Sequence, residues 1–144
     1  MDIGITISDR EIRKALKKFD GYSKQTQEKI NYQTTKSAYA IHSEAVNNCP
    51  VRTGRLRSSL HVKTDKNNGF FYKNDKGEGF NGTLGVYVRK GSAVVGTNVE
   101  YAGDVEYREV KTEFGKQPFL SPAAEKEKPK YIAAIKKILN ERPH

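Results

Sequence analysis

Few residues in this chain have the types and spacing that chemistry needs. His42, His61 and His144 lie far apart, with no H-x-x-H or H-E-x-x-H spacing that would turn two imidazoles toward one metal ion. Cys49 is the sole cysteine, so neither an internal disulfide nor a cysteine-based zinc site can form within one chain. Glu100, Asp104 and Glu106 gather three carboxylates in seven positions. No histidine or nucleophile accompanies them, so an acid/base pair or a metal cluster is not expected there. The chain has no G-x-S-x-G, no phosphate-binding loop and no dinucleotide fingerprint; the nearest glycine pair, Gly77 and Gly79, has no helix after it. The expectation is a protein that is not an enzyme and holds no cofactor.

Charge is the stronger signal. The 144 residues carry a net +9, distributed unevenly. Residues 50–92 hold nine Lys and Arg against three Asp and Glu, whereas residues 93–107 hold three carboxylates and no cation. The basic block (Arg52, Arg55, Arg57, Arg89 and Lys90) suits an acidic partner, either nucleic acid or a protein surface. The acidic strip Glu100, Asp104 and Glu106 suits a subunit interface, since a chain with both signs can bind its own copies head to tail. Phe70, Phe71 and Tyr72, in a polar stretch beside Lys73, either contact a partner or fold back onto a sheet.

The elements that must position these residues follow from periodicity. Length favours a single domain over residues 1–144. No apolar run is long enough to span a membrane, and the first residues lack the pattern of a secretion signal; a soluble protein is expected. Ile3, Ile5 and Ile7 alternate as a strand. Ser8 and Glu11 match a capping box, followed by a short helix with Ile12, Leu16 and Phe19 on one face. A long helix is predicted from Ser23 to Asn48, with Ile30, Thr34, Ala38, Ile41 and Ala45 on a thin stripe. Cys49-Pro50 stops it, and Thr53-Gly54 turns the chain into a basic strand opening.

Strands are then expected around Leu60–Thr64, Leu84–Val88 and from Ala93, the last two joined as a hairpin at Arg89–Ser92. Asp65–Thr83 reads as a long flexible loop, or as a long hairpin whose aromatics cover the sheet. Pro118 and Phe119 form an extended anchor, with Ser121 capping a last helix and Pro122 at its first position. Pro129 should kink or restart that helix. Together these give an α+β fold: a small antiparallel or mixed β-sheet against a long helix, with a short N-terminal and a C-terminal helix.

Three blocks carry a family resemblance. Pro50-Val51-Arg52-Thr53-Gly54-Arg55-Leu56-Arg57-Ser58-Ser59 is similar to the P-x-x-T-G-x-L-R-x-S signature of tail-completion (head–tail joining, neck) proteins of tailed bacteriophages and prophages. Val95-Gly96-Thr97-Asn98-Val99-Glu100-Tyr101-Ala102 resembles that family's V-G-T-x-x-x-Y-A strand, and Pro118-Phe119-Leu120-Ser121-Pro122-Ala123 its P-F-L-x-P-A entry to the last helix. Arg108 stands where the family usually has glycine, followed by additional sequence from Glu109 to Gly115.

The resemblance implies a virion structural protein, assembled in the host cytoplasm, that forms a ring of six copies between head and tail. Its implied partners are portal or head-closure connector proteins, tail terminator or tail tube proteins, and the double-stranded DNA in the channel, with no membrane. Arg52, Arg55, Arg57, Arg89 and Lys90 would then meet DNA or an adjacent ring, while Gly54, Pro118, Phe119 and Pro122 would be structural. A sequence-independent nucleic-acid-binding protein and a neighbouring phage ring component remain the alternatives.

Overall fold

The computed structural model describes residues 3–5, 10–49, 54–66, 69–99, 102 and 118–141. Helix α1 (Arg10–Lys17) is followed by a 3-10 turn at Phe19–Gly21. Ile12 and Phe19 are buried and Leu16 is half-buried, the face its spacing predicts; Ser8 of the capping box and Ile7 lie outside the described residues. Helix α2 (Lys24–Asn48) begins where Ser23 accepts a hydrogen bond from the Thr26 N–H at 3.2 Å. It ends at Cys49, whose backbone turns extended ahead of Pro50. The whole predicted stripe, Ile30 to Ala45, is buried.

The last helix, α4 (Leu120–Glu141), lies antiparallel to α2. Thr34 meets Tyr131 and Asn48 reaches the Phe119 carbonyl, so positions rise along one helix as they fall along the other. One expectation is corrected here and another is narrowed. The helix starts at Leu120, so Ser121 is not its cap, and Pro122 falls inside the first turn, where a missing N–H leaves no bond unmade. Pro129 does not restart the helix, which runs through it. Both Pro129 and Glu125, whose carbonyl loses its partner, are exposed, so water can take the place of the lost bond.

Helix α3 (Arg55–Ser59) replaces the basic strand opening expected after Gly54. Gly54 takes a positive φ of 72°, as its turn role requires, and its carbonyl accepts from the Ser58 N–H at 2.9 Å. Leu56, Ser59 and Leu60 are all buried. Their i, i+3, i+4 spacing is helical, and it prevails over the alternation of the arginines.

The main sheet has strand order β1-β5-β2, from β1 (Ile3–Ile5), β2 (His61–Thr64) and β5 (Ala93–Thr97), all antiparallel. Val95 pairs with Ile5 on one side and Val62 on the other. Both edges of β5 are thus occupied, and the strand expected at Leu84–Val88 cannot pair with β5 as a hairpin partner. That segment is irregular: Lys63 Nζ donates to the carbonyls of Leu84 (2.6 Å) and Val86 (2.8 Å) in place of a neighbouring strand. The turn at Arg89–Ser92 does form, closed by Ser92 N–H to the Arg89 carbonyl at 3.1 Å. Gly91 has φ 81°, and a Cβ there would come within 2.9 Å of the Phe19 ring.

Asp65–Thr83 is not a plain loop. It contains a second, two-stranded sheet of β3 (Phe71–Lys73) and β4 (Gly79–Asn81), with Tyr72 opposite Phe80. Its turn is built on Asn74, whose Oδ1 accepts from the N–H groups of Lys76 and Glu78. Rings fasten this hairpin to the body. His61 stacks on Phe70 at 4.3 Å, Phe70 lies 6.0 Å from Tyr72, Tyr72 lies 5.4 Å from Phe80, and the Arg55 guanidinium covers Phe80 at 4.4 Å.

The core lies between α2 and the main sheet and is closed by the start of α4. Ala38, Ile41 and Ala45 pack with Val62, Val95, Phe119 and Leu120. Alanines let the sheet approach the helix closely. Phe119 is fully buried, an anchor as its position predicts. A second cluster joins α1 to both long helices through Ile12, Phe19, Ile30, Tyr131 and Ile135.

Candidate partner-binding surfaces

The three resembling blocks meet inside the protein. Leu56, Val95, Ala102, Phe119, Leu120 and Ala123 share one apolar core. A buried hydroxyl relay joins the first two blocks. Val99 N–H donates to Thr97 Oγ1 at 3.1 Å, Thr97 lies 2.5 Å from Ser59 Oγ, and Ser59 donates to the Leu56 carbonyl at 2.6 Å. Since the Ser59 proton goes to Leu56, Thr97 must be the donor between the two hydroxyls. These residues hold the fold; partners must be met by the residues outside them.

The five predicted basic residues do not form one patch. Arg52 lies outside the described residues. Arg55 is half-buried on Phe80, holding the hairpin. Arg57 is half-buried near Cys49, whose thiol is pushed up to about 11 by burial, with the Arg57 charge acting in the opposite direction. The Ser59–Thr97 bond places this helix at the C-terminal end of β5. Arg89 and Lys90 are exposed on the turn that enters the N-terminal end of the same strand. A five-residue strand rises about 14 Å, so two basic surfaces result.

Arg89 and Lys90 instead share a cleft with Arg13 and Lys17 of α1. The cleft has a volume of about 270 Å³ and an apolar floor of Leu16, Ala38, Ile41 and Val95. All four cations are exposed. The ion pairs among the described residues, Lys126–Glu44 and Lys136–Glu11, involve none of them. The wall is fixed by Thr34, whose hydroxyl donates to the Gly91 carbonyl at 3.1 Å. With that proton committed, the Thr34 oxygen accepts from the Tyr131 hydroxyl, also at 3.1 Å. Burial raises the Tyr131 pKa, and the bond to Thr34 opposes the rise. One threonine thus ties α2, α4 and the basic turn together.

The other predicted positions are dispersed. The acidic strip, Glu100, Asp104 and Glu106, lies outside the described residues. Of the aromatic trio, Phe71 is 66% exposed, Phe70 is half-buried and Tyr72 is buried, so only Phe71 presents its ring outward. Pro118 is half-buried and Pro122 exposed. His42 Nε2 is hydrogen-bonded to the Leu60 carbonyl at 2.9 Å and His61 Nδ1 to the Ser59 carbonyl at 3.0 Å, which ties both rings to backbone at the start of β2. Among the described residues no group of three or more His, Cys, Asp and Glu is placed to hold a metal ion, and no helix is long and apolar enough to cross a membrane.

Sequence reasoning missed three features. Tyr32 and Tyr39 are exposed on α2, two turns apart with Lys36 between them, on the face away from the buried stripe; a helical projection contains that signal. Tyr87 is 87% exposed just before the basic turn. Arg13 and Lys17 carry no such signal, because their approach to residues 89–92 exists only in three dimensions.

The family model described as "Bacteriophage HK97-gp10, putative tail-component" matches residues 13–107, about two thirds of the chain. The chain belongs to this family. The matched span contains the first two resembling blocks and both halves of the cationic cleft, while the third block, Pro118–Ala123, lies beyond it. Membership makes the protein a phage tail-component relative, in keeping with the head–tail joining resemblance of its sequence blocks. No curated protein and no solved structure matches the chain significantly.

Proposed function

We propose that this protein is a non-enzymatic virion component that forms a ring, of six copies, at the head–tail junction. The ring joins the tail to the head and surrounds the channel through which double-stranded DNA passes. Membership of a phage tail-component family over residues 13–107 carries this reading, together with the order of the three resembling blocks. The exposed cations Arg13, Lys17, Arg89 and Lys90, unpaired among the described residues, carry the kind of charge that such an assembly surface uses. Its neighbours are portal or head-closure connector proteins on one side and tail terminator or tail tube proteins on the other. Attraction to DNA phosphates is sequence-independent, which is sufficient for a channel wall.

The test is a pull-down of the tagged protein with purified tails and, separately, with DNA-filled heads, at low and moderate salt. Binding to either particle with weak affinity for free DNA supports the reading and shows which side docks first. No particle binding, alongside tight salt-dependent binding to naked DNA, overturns it in favour of a nucleic-acid-binding protein.

A further inference from the structure

We infer that the cationic cleft between α1, α2 and the Arg89–Ser92 turn is the receiving half of the subunit contact, and that its occupant is the acidic strip of a second copy of this chain. The inference rests on the ring reading above and assigns the surfaces that would build it.

The chemistry of the cleft selects the occupant. At about 270 Å³ it falls below the roughly 300–1,000 Å³ of small-molecule sites, but it has room for one or two side chains. Its floor is apolar and four cations, unpaired among the described residues, surround it, so the fitting ligand is an aromatic or aliphatic residue flanked by carboxylates. The chain contains such a run. Between residues 93 and 107 there are three carboxylates and no Lys or Arg, and each carboxylate neighbours an apolar or aromatic residue: Glu100 beside Tyr101, Asp104 beside Val105, Glu106 beside Tyr107.

Connectivity argues for a second copy. The cleft opens at the N-terminal end of β5, where residues 89–92 enter the strand. The acidic run follows the C-terminal end, with Val99 and Ala102 buried in the core there and Val99 bonded to Thr97. Donor and receiver thus leave from opposite ends of one strand. Each copy gives at one end and accepts at the other, a head-to-tail contact that closes into a ring when the rotation permits. The charges balance closely, four cations against three carboxylates.

The experiment uses the full chain and a fluorescein-labelled peptide of residues 99–107, followed by anisotropy at about 50 mM salt, where the Debye length is long enough for rim charges to act. Saturable binding is expected, weakened at least about tenfold by Arg89→Glu with Lys90→Glu and by a peptide carrying Gln or Asn in place of its three carboxylates. A second variant, Arg13→Glu with Lys17→Glu, should weaken it comparably; circular dichroism confirms that each variant, altered only at exposed residues, is folded. Absence of binding, or binding indifferent to both variants, overturns the inference. Particle docking reads the ring separately. Docking that persists without peptide binding removes the cleft from the contact and leaves the ring; peptide binding without docking leaves the cleft contact and removes the neck assignment.

Discussion

Thr34→Val tests how the basic turn is held, because valine keeps the shape of threonine and loses its hydroxyl. Two bonds disappear: Thr34 to the Gly91 carbonyl and Tyr131 to Thr34, both 3.1 Å long. Each intramolecular bond contributes about 1 kcal/mol net, and an orphaned buried partner costs more, so Thr34→Val should destabilise by about 2–3 kcal/mol. Tyr131→Phe removes only the second bond and should cost about 1 kcal/mol. In the double variant that bond is already gone, so the total should resemble Thr34→Val alone and the coupling should be about 1 kcal/mol. Urea unfolding of the four proteins measures this, read as a shift in midpoint at unchanged slope. Losses that add to within about 0.3 kcal/mol would refute the shared-hydroxyl arrangement, as would a neutral Thr34→Val.

Other substitutions and conditions probe the remaining structure. Phe119→Ala empties a fully buried site at the start of α4 and should cost about 3–5 kcal/mol in the same assay. Pro129→Ala restores an exposed helix bond and should raise stability by up to about 3 kcal/mol, visible as a higher melting temperature. Cys49 should label slowly with a thiol reagent in the native state and rapidly in urea, since burial raises its pKa from the ordinary 9.0 to about 11. Below pH 9.0 both states keep the thiol proton, and from there toward 11 the unfolded chain loses it first, so stability falls as pH rises. Cys49→Ala should flatten that alkaline decline.

Helical segments were readable in the sequence because their signals are local. The stripe from Ile30 to Ala45 and the helix stop at Cys49 need no distant partner to be recognised, and both are found where expected. Strand pairing is not local. Leu84–Val88 alternates like a strand, but β1 and β2 already fill both edges of β5, and the sequence does not encode that competition in one place. The α3 segment misled for another reason: its arginines alternate while its buried Leu56, Ser59 and Leu60 follow a helical period, and burial decides.

The basic residues show the same limit. Arg55 and Arg89 look alike in sequence, yet one is stacked on Phe80 and the other is exposed beside α1. Counting charges located the block. Only the fold separates a structural arginine from one free to meet a partner.

The decisive assay for the head–tail role is joining of purified heads and tails, with the protein added as wild type or with Arg89→Glu and Lys90→Glu. If the protein joins head to tail through this basic turn, the wild type yields joined, infectious particles and the folded variant does not. Joining that proceeds equally well with the variant, or that owes nothing to the wild-type protein, would contradict it.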